Sequence, residues 1–323
     1  MTSLKVRDLR DDLTFGSIVD GVDDAALADP EVRTEINEIF VRRGMIVFTG
    51  CEPSARFQVE LSTVFGPLKD HPTKSTARAD TDEAPGVIDM HYEPMADPGD
   101  LGLVQVEGRK RAVWSNWHFD HCYNDELNYA GVLRSLVAPP EDGRTGFADG
   151  IAMYEALPRH LRDAIEPCNI IYMLDVRRSK MRFGRPPGFR DFGDTEYVLG
   201  NVREGLTFPR AMHPAVWTRP TGEKVLHVSP WMAFGIEGNE TPEGDALLEE
   251  VRQAMIAHAD PYWHEWRPDH MVIWDNHRML HAVSGHDPKW ERRMHRTTIK
   301  GDYGLGYFED GKKIGEVQRE FVA

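Results

Sequence analysis

The segment Asn116-Trp117-His118-Phe119-Asp120 places a histidine and an acid two positions apart among aromatic side chains. Aromatic residues favour extended strands, and in a strand residues i and i+2 project to the same face. The segment therefore predicts a β-strand that presents His118 and Asp120 side by side. An imidazole and a carboxylate in that arrangement are two of the ligands that a transition metal takes from proteins.

Spacing alone is weak evidence for a metal site. With 14 histidines and 53 acidic residues in 323 positions, chance gives about two His-x-acid pairs. The chain has three. His258-x-Asp260 lies at a predicted helix end, where capping is expected, and His91-x-Glu93 lies in a Pro-rich stretch without a rigid frame. Strand context favours the pair at 118 and 120, and histidines that bind no metal remain the alternative.

A third ligand has to come from a distant part of the chain. The segment Asp275-Asn276-His277-Arg278-Met279-Leu280-His281 contains two histidines and precedes a basic run with Arg292 and Arg296. Two histidines and one carboxylate, with coordination positions left open, form the ligand set of non-heme Fe(II) oxygenases. His281 is one candidate for the third ligand, and His277 is its competitor.

Composition and charge narrow the class of protein. The chain has 323 residues, of which 41% are apolar, enough for a sizeable core. It lacks a membrane-length apolar run, and the charged residues at its start do not match a signal peptide, so a cytoplasmic protein is expected. The net charge of −15 argues against nucleic acid or an anionic membrane as a partner, because both require a basic surface. Three widely spaced cysteines predict neither disulfides nor a zinc site.

The order of predicted elements favours a mainly β protein. From Val113 onward, short strand-like segments alternate with turns, which is typical of a sandwich or barrel. The stretch 72–112 is rich in Asp, Pro and Gly and is predicted to be a long loop, either a lid or disordered. No repeat or linker divides the chain, so a single domain over 1–323 is expected. Helices are predicted at 29–43, 53–66, 151–157, 159–165 and 241–258, and strands at 45–48, 130–137, 170–176, 215–217, 225–228, 271–274 and 294–300.

A series of short motifs, in order, makes the chain resemble a known family. The motifs are Phe65-Gly66-Pro67-Leu68, His71-Pro72, Asn116 to Asp120, Thr145, Gly150 to Pro158, His213-Pro214, Thr221 to Lys224, Trp274-Asp275-Asn276, His281 and Arg292 to Arg296. Their order resembles that of the taurine dioxygenase (TauD/TfdA-like) family of Fe(II)- and 2-oxoglutarate-dependent oxygenases. The resemblance covers nearly the whole chain. It implies a mostly β fold with flanking helices around a double-stranded β-helix core, a cupin-like jelly roll.

The resemblance also implies a set of functional residues. It assigns the metal to His118, Asp120 and His281, and places His277 in an ordinary loop position. It implies that Thr145 and Arg292 hold the distal carboxylate of 2-oxoglutarate, a task that suits the permanently charged guanidinium fork of arginine. The expected cofactors are Fe(II), 2-oxoglutarate and O2. The implied reaction couples decarboxylation of 2-oxoglutarate, which gives succinate and CO2, to hydroxylation or a related C–H oxidation.

The substrate assignment is less specific. The resemblance places His71 and Arg296 against an anionic substrate group, such as a carboxylate, and a structural ion pair is the alternative for Arg296. Lys74 and Trp114 depart from the taurine pattern, which disfavours taurine itself and favours a small organic acid that is larger than taurine and partly apolar, with a body that Trp114 could cover. Tyr123, Met212 and Trp231 are weaker candidates for the same role. Desaturation, cyclisation or epimerisation, a non-catalytic acid-binding sensor and homo-oligomer formation all stay open, and Asp120 disfavours a halogenase.

Overall fold

The computed structural model describes residues 4–74, 76–79, 86–94 and 99–314. Within these ranges the helices are α1 Asp24–Ala28, α2 Pro30–Arg43, α3 Ala55–Thr63, α4 Gly150–Ala156, α5 Arg159–Ile165, α6 Glu196–Gly205 and α7 Pro242–His258, with a 3-10 turn at Arg178–Lys180. The first ten strands are β1 Lys5–Asp8, β2 Ser17–Asp20, β3 Met45–Thr49, β4 Ile88–Tyr92, β5 Val104–Val106, β6 Arg109–His118, β7 Asn128–Val137, β8 Thr145–Asp149, β9 Asn169–Tyr172 and β10 Arg190–Asp191. The remaining strands are β11 Ala211–Pro214, β12 Val216–Thr218, β13 Lys224–Leu226, β14 Ala233–Ile236, β15 Tyr262–His264, β16 Met271–Asp275, β17 Met279–His286, β18 Arg292–Lys300 and β19 Tyr307–Phe308.

Two large sheets form the core. The larger has the strand order β1-β2-β3-β16-β7-β18-β4, and the smaller has the order β10-β5-β6-β17-β8-β15. Along the chain, β6, β7 and β8 alternate between the smaller and the larger sheet, and β16, β17 and β18 do the same. This alternation between two packed antiparallel sheets is the connectivity of a jelly roll. The predicted mostly β fold with flanking helices and a cupin-like core is confirmed.

Strand β3 shows how the sequence builds the layers. Successive side chains of a strand point to opposite faces. Met45 and Val47 pack with residues of both sheets in the core between them, whereas Ile46 and Phe48 pack against helices on the outer face of the larger sheet. Both faces are covered, so the strand consists of consecutive apolar residues instead of alternating with polar ones.

The same alternation positions the basic run of β18. Met294 lies in the core between the sheets, so Arg292 and Arg296, two positions away on either side, project toward the same interior. Thr297 faces outward, where its hydroxyl lies 2.6 Å from that of Ser62 on α3. Two arginines of one strand are therefore directed into the interior of the protein.

The region predicted to be a loop at 72–112 contains strands, which corrects that prediction. Strand β4 pairs with β18, and β5 pairs with β6. His91 consequently lies on a strand and not in a loop. Residues 75, 80–85 and 95–98 of the same region lie outside the described residues. The proposed lid role of 72–112 stays a prediction.

Several helices follow the sequence signals closely. Helix α2 begins after Asp29, whose carboxylate accepts the Glu31 N–H, and has Pro30 in its first turn. It ends at Arg43 and is capped by Gly44, which adopts a left-handed φ of 72°. Helix α7 begins at Pro242 with the Thr241 hydroxyl as its cap. The predictions for 29–43 and 241–258 are confirmed. The strand predicted at 170–176 is shorter and ends at Tyr172.

Within the described part of the chain, no helix combines the length and apolar character needed to cross a membrane.

Buried histidines make the fold sensitive to acid. Burial lowers the pKa of His264 to about 3 and the pKa values of His213 and His277 to about 4. Below pH of about 6.5 the unfolded chain therefore binds protons that the native state does not, so stability falls as pH falls. We expect urea denaturation to show a loss on the order of 1 kcal/mol per such histidine between pH of about 6.5 and 5.5. His264→Gln should reduce that slope, and a free energy of unfolding that rises on acidification would contradict the prediction.

Candidate active site

Three potential metal ligands meet between the two sheets. Strand β17 pairs with β6 so that His281 lies opposite His118, and their ring centroids are 4.1 Å apart. One ligand atom each from His118, Asp120 and His281 lies within 4.8 Å of the others, and all three side chains are buried. Among the described residues this is the one group of three or more His, Cys, Asp or Glu side chains with that geometry.

Asp120 reaches the cluster from outside the strand that carries His118. Strand β6 ends at His118, so the prediction that one strand presents both ligands is wrong in that detail. The carboxylate still faces the imidazoles, with Asp120 Oδ1 at 3.7 Å from His281 Nε2. The position of Asp120 therefore depends on the turn that follows β6.

The donor atoms of this cluster fit a divalent metal. His118 Nδ1 donates to the main-chain oxygen of Asn116 at 2.8 Å, which leaves its Nε2 lone pair free for a metal. Asp120 Oδ2 and His281 Nδ1 are buried without a hydrogen-bond partner. Burial, followed by the neighbouring His118, lowers the pKa of His281 to about 3. The imidazole is therefore neutral, as metal coordination requires.

Arg296 contacts the acidic ligand directly. Its Nη1 donates to Asp120 Oδ1 at 2.9 Å. Burial alone would raise the pKa of Asp120, but the Arg296 guanidinium and the nearby imidazoles hold it below its usual range. The alternative role considered for Arg296, an ion-pair partner for a carboxylate, is thus present in the structure. It does not exclude substrate binding, because the Arg296 Nε is buried with no acceptor.

The other histidines considered as ligands lie apart from the cluster. His277 stacks on Tyr303 with ring centroids 5.1 Å apart. His91 Nε2 lies 2.8 Å from Glu291, and His91 is not part of the group formed by His118, Asp120 and His281. His258 is the last residue of α7. The structure therefore groups His281, and not His277, with His118 and Asp120.

A cavity of 630 Å³ extends from the cluster along the inner face of β18. His118, Thr145, His281 and Arg292 line it together. Arg292 is 3% exposed, and its Nη2 has no hydrogen-bond partner. Burial lowers the pKa of its guanidinium to about 10. A buried cation without a counter-charge is costly, so the geometry provides a site for an anion at this end of the cavity.

Thr145 lies on β8, opposite Val283 of β17. Its hydroxyl accepts a hydrogen bond from Trp266 Nε1 at 3.1 Å, so its own proton is available to an acceptor in the cavity. The residues that the sequence connects with 2-oxoglutarate are thus brought into the same cavity.

A smaller cavity of 290 Å³ lies on the other side of Arg296. Both cavities are lined by His118, Trp231 and Arg296, and the smaller one also by His71 and Asp120. Thr73 N donates to His71 Nδ1 at 3.2 Å, which places the ring proton on Nε2. Burial and the nearby Arg296 lower the pKa of His71 to about 3, so this neutral ring has one N–H to offer.

Some lining residues were not predicted. His121 lines the smaller cavity with a left-handed φ of 61° and with neither ring nitrogen hydrogen-bonded. Arg178 and Tyr197 line both cavities. Only the neighbouring Asp120 could have drawn attention to His121, since a left-handed φ at a non-glycine residue has no sequence signal.

The residues suggested to cover an apolar substrate fall into two groups. Trp114 lines the larger cavity, Tyr123 the smaller one and Trp231 both. Met212, on β11, lines neither of these two cavities, so that suggestion is wrong. Lys74 is exposed.

Comparison with known proteins identifies the family to which this chain belongs. The family model described as "Taurine catabolism dioxygenase TauD, TfdA family" matches residues 5–298. The chain belongs to this family. The resemblance inferred from the order of short motifs is confirmed.

Relatives of this TauD/TfdA family protein include dioxygenases named for phenoxyacetate and phenoxypropionate compounds. The chain is 28% identical over 293 residues to the α-ketoglutarate-dependent 2,4-dichlorophenoxyacetate dioxygenase of Cupriavidus pinatubonensis, covering 86% of this chain and 91% of the relative. It is also 28% identical over 293 residues to the (S)-phenoxypropionate/α-ketoglutarate dioxygenase of Sphingobium herbicidovorans, covering 90% and 93%.

Solved structures support the fold of this TauD/TfdA family protein. A putative α-ketoglutarate-dependent taurine dioxygenase from Burkholderia xenovorans superposes with a TM-score of 0.69 at 21% identity and covers 96% of each chain. AAD-2, solved with Mn(II) and N-oxalylglycine, gives a TM-score of 0.68 at 22% identity over 94% of this chain and all of that one. Membership in the family confirms the predicted dioxygenase chemistry, with Fe(II), 2-oxoglutarate and O2 as cofactors.

Proposed function

We propose that this protein uses His118, Asp120 and His281 to hold Fe(II) and oxidises a small, partly apolar organic acid at the expense of 2-oxoglutarate. The observation that carries the proposal is that one cavity is lined both by His118 and His281 of the ligand cluster and by the buried Arg292, whose Nη2 has no partner. The cluster accounts for the metal, and Arg292 accounts for an anionic cosubstrate. Hydroxylation is the simplest outcome of such an oxidation.

In this proposal Arg292 and Thr145 hold the distal carboxylate of 2-oxoglutarate. The guanidinium and the hydroxyl both line the 630 Å³ cavity, and an arginine fork binds a carboxylate with two parallel hydrogen bonds. When bound, Fe(II) and 2-oxoglutarate supply the activation of O2 together with the release of succinate and CO2. The protein orients the cosubstrate between its carboxylate site and the ligand cluster, and the buried aromatic walls exclude water.

The smaller cavity is the proposed place for the acidic group of the substrate. Arg296 offers an unpaired Nε and His71 offers a ring N–H there. Trp231 and Tyr123 provide apolar surface in the same cavity. Relatives of this chain are named for phenoxyalkanoic acids and, in Pseudomonas putida, for sulfate esters. These compounds all carry an anionic group, which supports a small anion as the substrate class.

Further parts of the proposal concern the whole chain. We propose one catalytic domain over 1–323 in the cytoplasm, with 72–112 acting as a lid. Met90, His91 and Tyr92 of that stretch line the larger cavity, which supports a role for it at the entrance.

The test is succinate formation. The purified protein, loaded anaerobically with Fe(II) and 2-oxoglutarate and then exposed to air, is assayed for succinate with a panel of phenoxyalkanoic acids, sulfonates and sulfate esters. We expect one equivalent of iron per chain and succinate that depends on one class of acid. Iron or 2-oxoglutarate binding without succinate for any acid would favour a sensor, and absence of iron binding would overturn the proposal.

A prediction for Arg296 follows from its place between the cavities. Arg296→Gln should raise KM for the acid substrate by roughly tenfold to a hundredfold, since a hydrogen bond to a charged group contributes about 1.5 to 3 kcal/mol. KM for 2-oxoglutarate should change by less than about threefold, because Arg292 remains. Steady-state kinetics of Arg296→Gln beside Arg293→Gln, which alters an arginine paired with Asp89, check both values. An unchanged substrate KM would remove Arg296 from the substrate site.

A further inference from the structure

The side-chain amide of Asn276 forms two hydrogen bonds with the main chain of Asp120. Asn276 is fully buried, directly after β16. Its Oδ1 accepts the main-chain N–H of Asp120 at 2.7 Å, and its Nδ2 donates to the main-chain oxygen of Asp120 at 3.0 Å. One amide therefore holds both peptide groups that flank the Asp120 α-carbon.

The orientation of this amide is determined by its surroundings. Besides the Asp120 oxygen, Nδ2 lies 3.2 Å from the main-chain oxygen of Asn128 and 3.1 Å from its Oδ1. The opposite end faces an N–H group. An amide rotated by half a turn would set an oxygen against three oxygens, so only one assignment satisfies the hydrogen bonds.

The main-chain hydrogen bonds of Asp120 depend on the Asn276 amide. Strand β6 ends two residues earlier, and the next residue, His121, adopts a left-handed φ of 61°, a conformation that costs about 1 to 3 kcal/mol in a non-glycine residue. Among the described residues, both hydrogen bonds of the Asp120 main chain go to Asn276. Without them, the main chain of Asp120 has no described hydrogen bond, and it lies beside the strained φ of His121.

Asn276 is itself rigidly held near the other ligands. Its N–H donates to Tyr129 O at 2.9 Å, and its main-chain oxygen accepts from His227 Nε2 at 2.9 Å. Strand β17, which carries His281, begins three residues later. The amide thus links the segment that bears Asp120 to the segment that leads into His281.

We propose that Asn276 is a positioning residue that sets metal affinity by fixing the backbone of Asp120. The inference rests on the proposed function, because it assumes that Asp120 is a metal ligand. Partners that orient metal ligands typically contribute about 10- to 100-fold to metal affinity. The same factor is expected here, although the contact is to the backbone of the ligand and not to its carboxylate.

The experiment compares metal affinity with stability. Fe(II) and Mn(II) are titrated anaerobically by calorimetry into the wild type, Asn276→Ala and Asn276→Ser, and the melting temperature of each metal-free protein is recorded. Gln58→Met is the matched control: Gln58 is also a fully buried amide that bonds two main-chain oxygens, those of Val132 and His295, but it touches no ligand. If the alanine variant does not fold, the metal affinity of the serine variant provides the test.

We expect the metal Kd of the Asn276 variants to rise about 10- to 100-fold and that of Gln58→Met to stay within about twofold, at a comparable loss in melting temperature. An Asn276 variant with wild-type affinity would overturn the inference, as would an equal loss of affinity in Gln58→Met, because either result indicates a purely structural amide. Failure of the wild type to bind either metal would instead overturn the proposed function.

Discussion

We expect His281→Ala to weaken Fe(II) binding by at least roughly a hundredfold. Loss of a residue that only orients a metal ligand already costs up to about a hundredfold in metal affinity, and the loss of a ligand should cost at least as much. The variant removes one of the three buried candidate ligands, and among the residues described no other histidine is placed to replace it. The metal would be left with His118 and Asp120 alone. Anaerobic calorimetry with Fe(II) measures the change directly.

His277→Ala is the matched control for that experiment. Both histidines are buried, neutral and only four positions apart, so both substitutions open a cavity of similar size. His277, however, packs on Tyr303 and Trp217, away from the cluster. His277→Ala should therefore lose stability and keep its metal affinity. Equal loss of Fe(II) binding in the two variants would contradict the choice of His281 as the ligand.

Strand predictions succeeded where local pattern and tertiary pairing agree. Met271 to Trp274 is apolar, and Met294 to Lys300 contains the β-branched run Thr297-Thr298-Ile299; both segments form interior strands of the larger sheet. The prediction failed at Ile88–Tyr92, which is short and lies in a Pro- and Gly-rich stretch. That strand exists because it pairs with β18, about two hundred residues later. A local pattern cannot show a partner so distant in sequence.

The candidate site shows the same division. Residue types and motif order were enough to select His118, Asp120 and His281, because their chemistry and order are both restrictive. An ion pair of Arg296 was considered, but three features were not predicted: Asp120 as its partner, the left-handed turn at His121, and the hydrogen bonds from the Asn276 amide to the Asp120 main chain. Each depends on how β6, β16 and β18 approach one another in space, and one sequence contains no signal for such distances.

Arg292 has the next largest expected effect, and its environment explains the size. The guanidinium is buried with a free Nη2, and its described hydrogen bond is a long one, from Nε to the main-chain oxygen of Gly143 at 3.3 Å. No described carboxylate lies within ion-pair distance of it. A protein retains such a group at a cost in stability, which is consistent with selection for binding an anion and not for folding.

We expect Arg292→Met to raise KM for 2-oxoglutarate by roughly thirtyfold to several thousandfold, since a buried charge pair loses about 2 to 5 kcal/mol when one partner is removed. The metal-free variant should be no less stable than the wild type, because methionine fills a similar volume without an unpaired buried charge. Steady-state kinetics and urea denaturation of the same preparations measure the two quantities.

Arg293→Met separates this effect from a general loss of basic charge. Arg293 is the next residue on β18, faces outward and pairs with Asp89 at 2.7 Å, with 39% of its side chain exposed. Its loss should leave KM for 2-oxoglutarate within about twofold and cost at most about 1 kcal/mol of stability. Arg292→Met should thus lose affinity for 2-oxoglutarate and keep its stability. Arg293→Met should lose a little stability and keep its affinity for 2-oxoglutarate. If Arg292→Met instead unfolds the protein and leaves KM unchanged in the fraction that remains folded, the guanidinium is structural, and the 2-oxoglutarate carboxylate must bind elsewhere in the cavity.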